Sequence, residues 1–150
     1  MQGGDVLIYS LFGHRDFRAD SLPYLYGTLE HYIQDNDSVL FMIGNEGSFD
    51  LYVQSLLKKL KLTYPEMNYH IVLAYLPKPH DEPIEQSVYP EGLEKTPKRF
   101  AILKRNQWMI DNSDAVLYYS ERTWGGVATA TEYARKKDKA LIPLKTTTDT

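Results

Sequence analysis

Five short apolar runs recur along this chain: VLIYSL at residues 6–11, SVLFMI at 38–43, YHIVLAYL at 69–76, DAVLYY at 114–119 and KALIPL at 139–144. Apolar side chains stand at successive positions, so a strand built from such a run hides both of its faces. Strands of that kind belong to a parallel sheet covered by helices. The stretches between them carry helical periodicity. In residues 21–34 (SLPYLYGTLEHYIQ), Leu22, Leu25, Leu29 and Ile33 share a face, Ser21 is placed to cap, and Pro23 sits in the first turn. Residues 48–62 (SFDLYVQSLLKKLKL) gather Leu51, Val53, Leu56, Leu57 and Leu60, with Lys58, Lys59 and Lys61 near the C-terminal end. Residues 98–112 and 125–137 predict two more helices. Right-handed crossovers then give one doubly wound, three-layer α/β/α domain over residues 1–150, with a mostly parallel sheet of about five strands. Pro143 marks the last run as an edge strand or a strand end.

Residues 77–97 break this pattern. They hold five prolines, several acids and no periodicity. A stretch this long without its own structure reads as a loop over a site or an interface. The final TTTDT reads as frayed.

Composition narrows the function classes. No apolar run approaches the roughly 20 residues of a membrane span. The opening MQGGDVLIYS lacks a basic region and reads as no signal peptide. Cysteine is absent, which removes disulfides, thiolate metal sites and a Cys nucleophile, and fits a reducing cytoplasm. The net charge of −3 argues against a large nucleic-acid or lipid surface. His31, His70 and His80 have no metal-ligand spacing with His14 or with carboxylates, so no metal is expected, and nothing implies a cofactor. The 12 tyrosines can stack on a base, but core edges and a subunit interface are their commoner use.

In an open α/β sheet, ligands bind beyond the carboxyl ends of the strands. Four turns end there: residues 12–16 (FGHRD), 44–48 (GNEGS), the stretch after Leu76, and residues 120–126 (SERTWGG). Gly13, Gly44, Asn45, Gly47, Gly125 and Gly126 bring the backbone flexibility and small size of binding turns. Gly47-Ser48 and Gly125-Gly126 feed directly into helices, whose N-termini present free N–H groups and partial positive charge to a phosphate. Ordinary strand-to-helix geometry would use the same glycines. Arg15 can clamp an anion, with Asp16 to cap or orient it, and His14 is the one histidine beside this edge. Asp50 can cap the second helix or meet a ligand. Trp124 can stack on a base or pack against the 77–97 stretch. No GxGxxG and no GxxxxGK[ST] occurs, so neither fingerprint supports a dinucleotide or P-loop site.

The run KRNQWMIDNSDAVLYYSERTWGGVATATEYARKKDKALIPL resembles the C-terminal half of SLOG-superfamily proteins. These are Rossmann-like domains that include the LOG phosphoribohydrolases and the DprA/Smf DNA-processing proteins. LOG enzymes carry an Arg on a helix, an Asp opening the next strand, then PGGxGTxxE starting a helix. Here Arg105 stands nine residues before Asp114, and GGVATATE (Gly125 to Glu132) aligns with GGxGTxxE. FGHRDF resembles the GSRDF-type start of such proteins, and GNEGSFDLYV resembles their second-strand turn. The likeness covers almost the whole chain. Trp124 takes the place of the motif's proline, Ala128 that of its third glycine, and residues 120–124 form a longer segment.

The turns beyond the strand ends, taken with the resemblance, give a ligand set of Gly13, His14, Arg15, Gly44, Asn45, Gly47, Ser48, Arg105, Trp124, Gly125, Gly126, Thr129 and Glu132. The resemblance implies a protein that binds a nucleotide or nucleotide-derived signal, sensing or sequestering it, and the departures at Trp124 and Ala128 favour this. The alternative is a LOG-type hydrolase that cleaves the N-glycosidic bond of nucleoside 5′-monophosphates. Arg105 and Glu132 would then be catalytic, with the carboxylate facing an oxocarbenium-like transition state. Glu132 could also bind ribose hydroxyls, or pair with Lys136 on a helix surface. Single-stranded DNA binding, as in DprA-like proteins, is a third, weaker reading that the acidic balance opposes. LOG-like proteins are commonly dimers, so a homo-oligomer is implied, with the Tyr-rich residues 21–34 as a candidate interface.

Overall fold

Each of the five apolar runs forms a strand. In the computed structural model, which describes residues 6–146, they are β1 (Leu7–Phe12), β2 (Val39–Ile43), β3 (Asn68–Val72), β5 (Ala115–Tyr118) and β6 (Ala140–Pro143). A further two-residue strand, β4 (Ser87–Val88), lies between β3 and β5. The sheet order is β4-β3-β2-β1-β5-β6, and every neighbouring pair is parallel. Four α-helices among the described residues cover it: α1 (Leu25–Asp35), α2 (Ser48–Thr63), α3 (Ala101–Asp111) and α4 (Gly126–Lys136). The fold is Rossmann-like. The MQGGD start and all of the TTTDT end except Thr146 lie outside the described residues.

The strand alternation explains the two-sided apolar runs. Tyr9 and Leu11 of β1, with Phe41 and Ile43 of β2, pack into one cluster with Leu25 and Leu29 of α1 and Phe49, Val53 and Leu57 of α2. Phe12 and Met42, their neighbours in sequence, pack on the opposite side with Met109 and Ile110 of α3 and Val127, Ala130 and Ala134 of α4. Successive strand residues point to opposite faces, so each strand feeds both layers. The buried Ser10 breaks the apolar run, and it is satisfied by Met109 O at 3.2 Å and by the Ser113 hydroxyl. Asp114 ties the start of β5 to β1: its Oδ2 accepts from Ile8 N–H and its own N–H donates to Ile8 O, both at 2.8 Å.

The chain runs outward from β1 through β2, β3 and β4, then returns to place β5 on the other side of β1. The order therefore reverses between β1 and β5, and a crevice opens beyond their carboxyl ends.

Three local expectations are corrected. α1 starts at Leu25 rather than Ser21, and Ser21 does not cap it. Pro23 disfavours helical dihedrals at the residue before it, and Leu22 adopts φ −132°, ψ 69°. Residues 77–97 are not a structureless loop. They contain β4, which pairs with β3 through Ile71 N–H to Gln86 O and Leu73 N–H to Val88 O, both 2.8 Å. The third strand ends at Val72 rather than Leu76, and the sheet has six strands rather than five. Pro143 is the last residue of the edge strand β6, where a missing N–H does least harm.

Candidate functional site

A cleft of about 410 Å³ opens at the β1/β5 crevice. That volume lies within the roughly 300–1,000 Å³ of small-molecule sites. Leu11, Phe12, Ile102 and Val127 give it apolar wall. Three arginines (15, 105 and 122) and three carboxylates (Asp16, Glu46 and Asp50) also line it, so its formal charge balances when all are ionised.

The β1 turn supplies Gly13, His14, Arg15 and Asp16. His14 is buried, and its Nε2 accepts the Glu121 backbone N–H at 2.9 Å. That bond requires an unprotonated Nε2. Burial first, then the charge of Arg122, push the imidazole below its ordinary pKa. His14 thus braces the loop after β5 as a neutral group. Arg15 turns its side chain to solvent, 4.0 Å from Glu46, while its carbonyl accepts from Ser48 N–H at 2.9 Å and from the Ser48 hydroxyl.

Gly44 follows β2 and lies between two buried ionisable groups. Asp50 is 8% exposed and Arg105 is 3% exposed. A methyl at Gly44 would lie 2.6 Å from Asp50 Oδ2 and 2.7 Å from Arg105 Nη1, so a larger residue there would have to push one of these side chains aside. Asp50 stands in the first turn of α2, and its Oδ2 accepts Glu46 N–H at 2.9 Å. It both closes the turn that leads into α2 and lines the cleft. Burial raises its pKa to about 6, against the pull of the Glu46 N–H and the Arg105 charge. Arg105 donates Nη1–H to Val72 O at 2.9 Å and Nε–H to Asn106 Oδ1 at 2.8 Å. Burial lowers its pKa, and the charges of Asp50 and Glu46 act the other way.

The third wall is the loop from β5 into α4. Gly125 adopts φ +96°, ψ −170°, a region essentially confined to glycine. Gly126 then begins α4, and a methyl on either glycine would meet nothing within 4 Å. The helix N-terminus therefore opens into the cleft with its first N–H groups lacking intrahelical partners. Trp124, 67% exposed, stands at the mouth with the Arg122 guanidinium 5.2 Å from its ring centroid. Arg122 crosses the crevice to Asp16, whose two oxygens accept from Nη2 at 2.6 and 2.7 Å.

Of the residues singled out from sequence, Gly13, His14, Arg15, Gly44, Arg105, Trp124, Gly125 and Gly126 meet in the cleft. Five do not line it. Asn45 is turned to α2, its Oδ1 accepting from Gln54 Nε2 at 2.9 Å. Gly47 and Ser48 lie beneath the Arg15 backbone. Thr129 bonds back to Gly125 O at 3.1 Å and borders a separate groove of about 160 Å³ between α3 and α4. Glu132 is 57% exposed and accepts from Arg135 Nη1 at 2.9 Å. Val127, Ala130 and Ala134 form the inward face of α4, which turns Glu132 to the opposite side. Its expected partner Lys136 is replaced by Arg135. No residue of 77–97 lines the cleft either, and the third glycine position, Ala128, lies outside it.

Arg122, Glu46 and Asn106 are cleft residues that sequence reasoning did not find, and Asp16 was assigned to Arg15 rather than Arg122. The available signal for Arg122 was its place in the turn that leaves β5 at the strand-order reversal. Most tyrosines serve the chain's own packing: Tyr9 meets Tyr32 at 4.7 Å, and Tyr26, Tyr52, Tyr64 and Tyr89 pack on the first core cluster.

Searched against protein-family models and curated proteins, the chain matches none. Among the described residues, no helix is long and apolar enough to cross a membrane.

Proposed function

We propose that this cleft binds a nucleotide or a nucleotide-derived small molecule, and that the chain is a SLOG-like protein that senses or sequesters it. The observation that carries this reading is the open N-terminus of α4, facing a crevice that Arg122 also lines. Free N–H groups at a helix start and the Arg122 guanidinium suit a phosphate. Trp124 offers a face to a base, and Asp50 offers a carboxyl to sugar or base donors. A cytoplasmic homo-oligomer belongs to the same proposal.

Hydrolysis is the second reading, favoured by the placement of Arg105 beside a buried carboxyl. In this chain that carboxyl is Asp50, because Glu132 faces away from the cleft. Two measurements test the pair of readings. Small molecules released from the purified protein by denaturation are identified by mass spectrometry, with a nucleotide expected. The protein is then incubated with AMP, GMP, CMP and UMP and assayed for free base and ribose 5-phosphate. Tight nucleotide binding without release supports the binder. Release abolished by Asp50→Asn supports the hydrolase. Neither binding nor release contradicts both.

A further inference from the structure

An ion pair closes part of the mouth of the cleft. Asp16 and Arg122 are 106 residues apart in sequence and come from the two loops that flank the strand-order reversal. Both line the cleft, and their ion pair spans its mouth. The presentation of Arg122 is built rather than incidental. Ser120 Oγ donates to Arg122 O at 2.7 Å and accepts Arg122 N–H at 3.3 Å, closing a tight turn. His14 holds the adjacent Glu121 N–H, and the guanidinium lies over Trp124. The two ends of the pair differ: the Arg122 side chain is 29% exposed and that of Asp16 is 69% exposed. Asp16 engages only Nη2, which leaves Nε and Nη1 outside the pair.

We propose that Arg122 is the anion-binding residue of the cleft and that a phosphate monoester enters by displacing Asp16 from it. The inference rests on the nucleotide reading for the rest of the ligand, but the exchange can be tested without it. An exposed ion pair holds little free energy, so Asp16 is replaceable. A phosphate monoester brings more charge and three acceptor oxygens, and can use the nitrogens that Asp16 leaves. The N-terminus of α4 stands in the same cleft and favours the same sign of charge. Arg15 and Arg105 are less suited. Arg15 points to solvent, and Arg105 is committed to Val72 O and Asn106.

The chain has two tryptophans, and Trp108 packs on the core away from the cleft. In a Trp108→Phe background, Trp124 emission reports on Arg122 directly. Inorganic phosphate is titrated at constant ionic strength, then AMP. Phosphate should change the emission saturably, with the half-saturation concentration roughly two- to fivefold lower in Asp16→Asn. Arg122→Gln should abolish the saturable response. Phosphate affinity unchanged or weakened by Asp16→Asn, parent affinity retained in Arg122→Gln, or no response in any variant would overturn the exchange. AMP separates the two claims. If AMP binds no tighter than phosphate while Asp16→Asn still tightens both, the nucleotide reading fails and the exchange stands. If AMP binds tightly and equally with and without Asp16, the exchange fails and the nucleotide reading stands.

Discussion

The N-termini of α2 and α4 look alike in sequence and end up in opposite states. Each follows a parallel strand, and each opens on a glycine with φ near +95° and an extended ψ. The α2 end is sealed. Ser48 N–H, the first of the helix, is taken by Arg15 O, Asp50 holds the Glu46 N–H of the turn before it, and a methyl on Gly47 would lie 2.7 Å from Arg15 Cα. The α4 end is open, and nothing stands within 4 Å of a methyl on Gly125 or Gly126. The difference comes from β1. Its exit loop folds over α2 and stops short of α4, and it reaches the loop that leads into α4 through the Asp16–Arg122 pair and the His14–Glu121 hydrogen bond. A helix start becomes a candidate anion site only if no neighbouring loop has already used its donors.

Glycine substitutions give the largest test of that contrast. Gly47→Ala should destabilise the fold by about 2–4 kcal/mol, because backbone strain and a clash with fixed backbone combine. Gly125→Ala should cost only about 1–3 kcal/mol, the strain alone. Urea denaturation measures both, and equal losses would break the contrast.

Asp50 sharpens it through pH. Folding raises its pKa from the ordinary 3.8 to about 6, so the folded state holds the proton more tightly. The stability this provides is complete below about pH 4 and is lost as pH rises through 6, a change of about 3 kcal/mol. Asp50→Asn cannot ionise. The stability of the variant minus that of the parent should therefore rise by about 3 kcal/mol between pH 4 and pH 7. A flat difference would show that Asp50 is not the desolvated seal described here.

Smaller effects should separate stability from binding at α4. Gly126→Ala has room and lies in a helix, so it should be neutral or stabilising by up to about 1 kcal/mol. Its methyl at the open terminus should still weaken AMP binding, on the order of tenfold. Unchanged AMP affinity would place the phosphate elsewhere. Glu132→Ala should change stability by less than about 0.5 kcal/mol and leave AMP binding intact, since its partner is the exposed Arg135.

The layered fold was legible because two-faced apolar runs admit few architectures; the positions of Gly125, Gly126 and Trp124 at the cleft followed from their turn at a strand's carboxyl end, and that of Arg105 from its spacing to Asp114. The failures share a cause: they depend on contacts distant in sequence or on a single helical phase. Nothing in the spacing of Asp16 and Arg122 announces a pair formed across the crevice. The seal on α2 is made by a different strand's loop. Glu132 was placed by motif alignment, whereas the inward face of α4 is set by Val127, Ala130 and Ala134. β4 is too short to carry a periodic signal.

Amide chemical shifts during an AMP titration of the labelled protein test the central claim most directly. The account predicts the largest changes at Gly125, Gly126 and Val127, with Arg122 beside them and smaller changes at Gly47 and Ser48. Changes centred on the α2 start or on residues 77–97, or no changes at all, would contradict it.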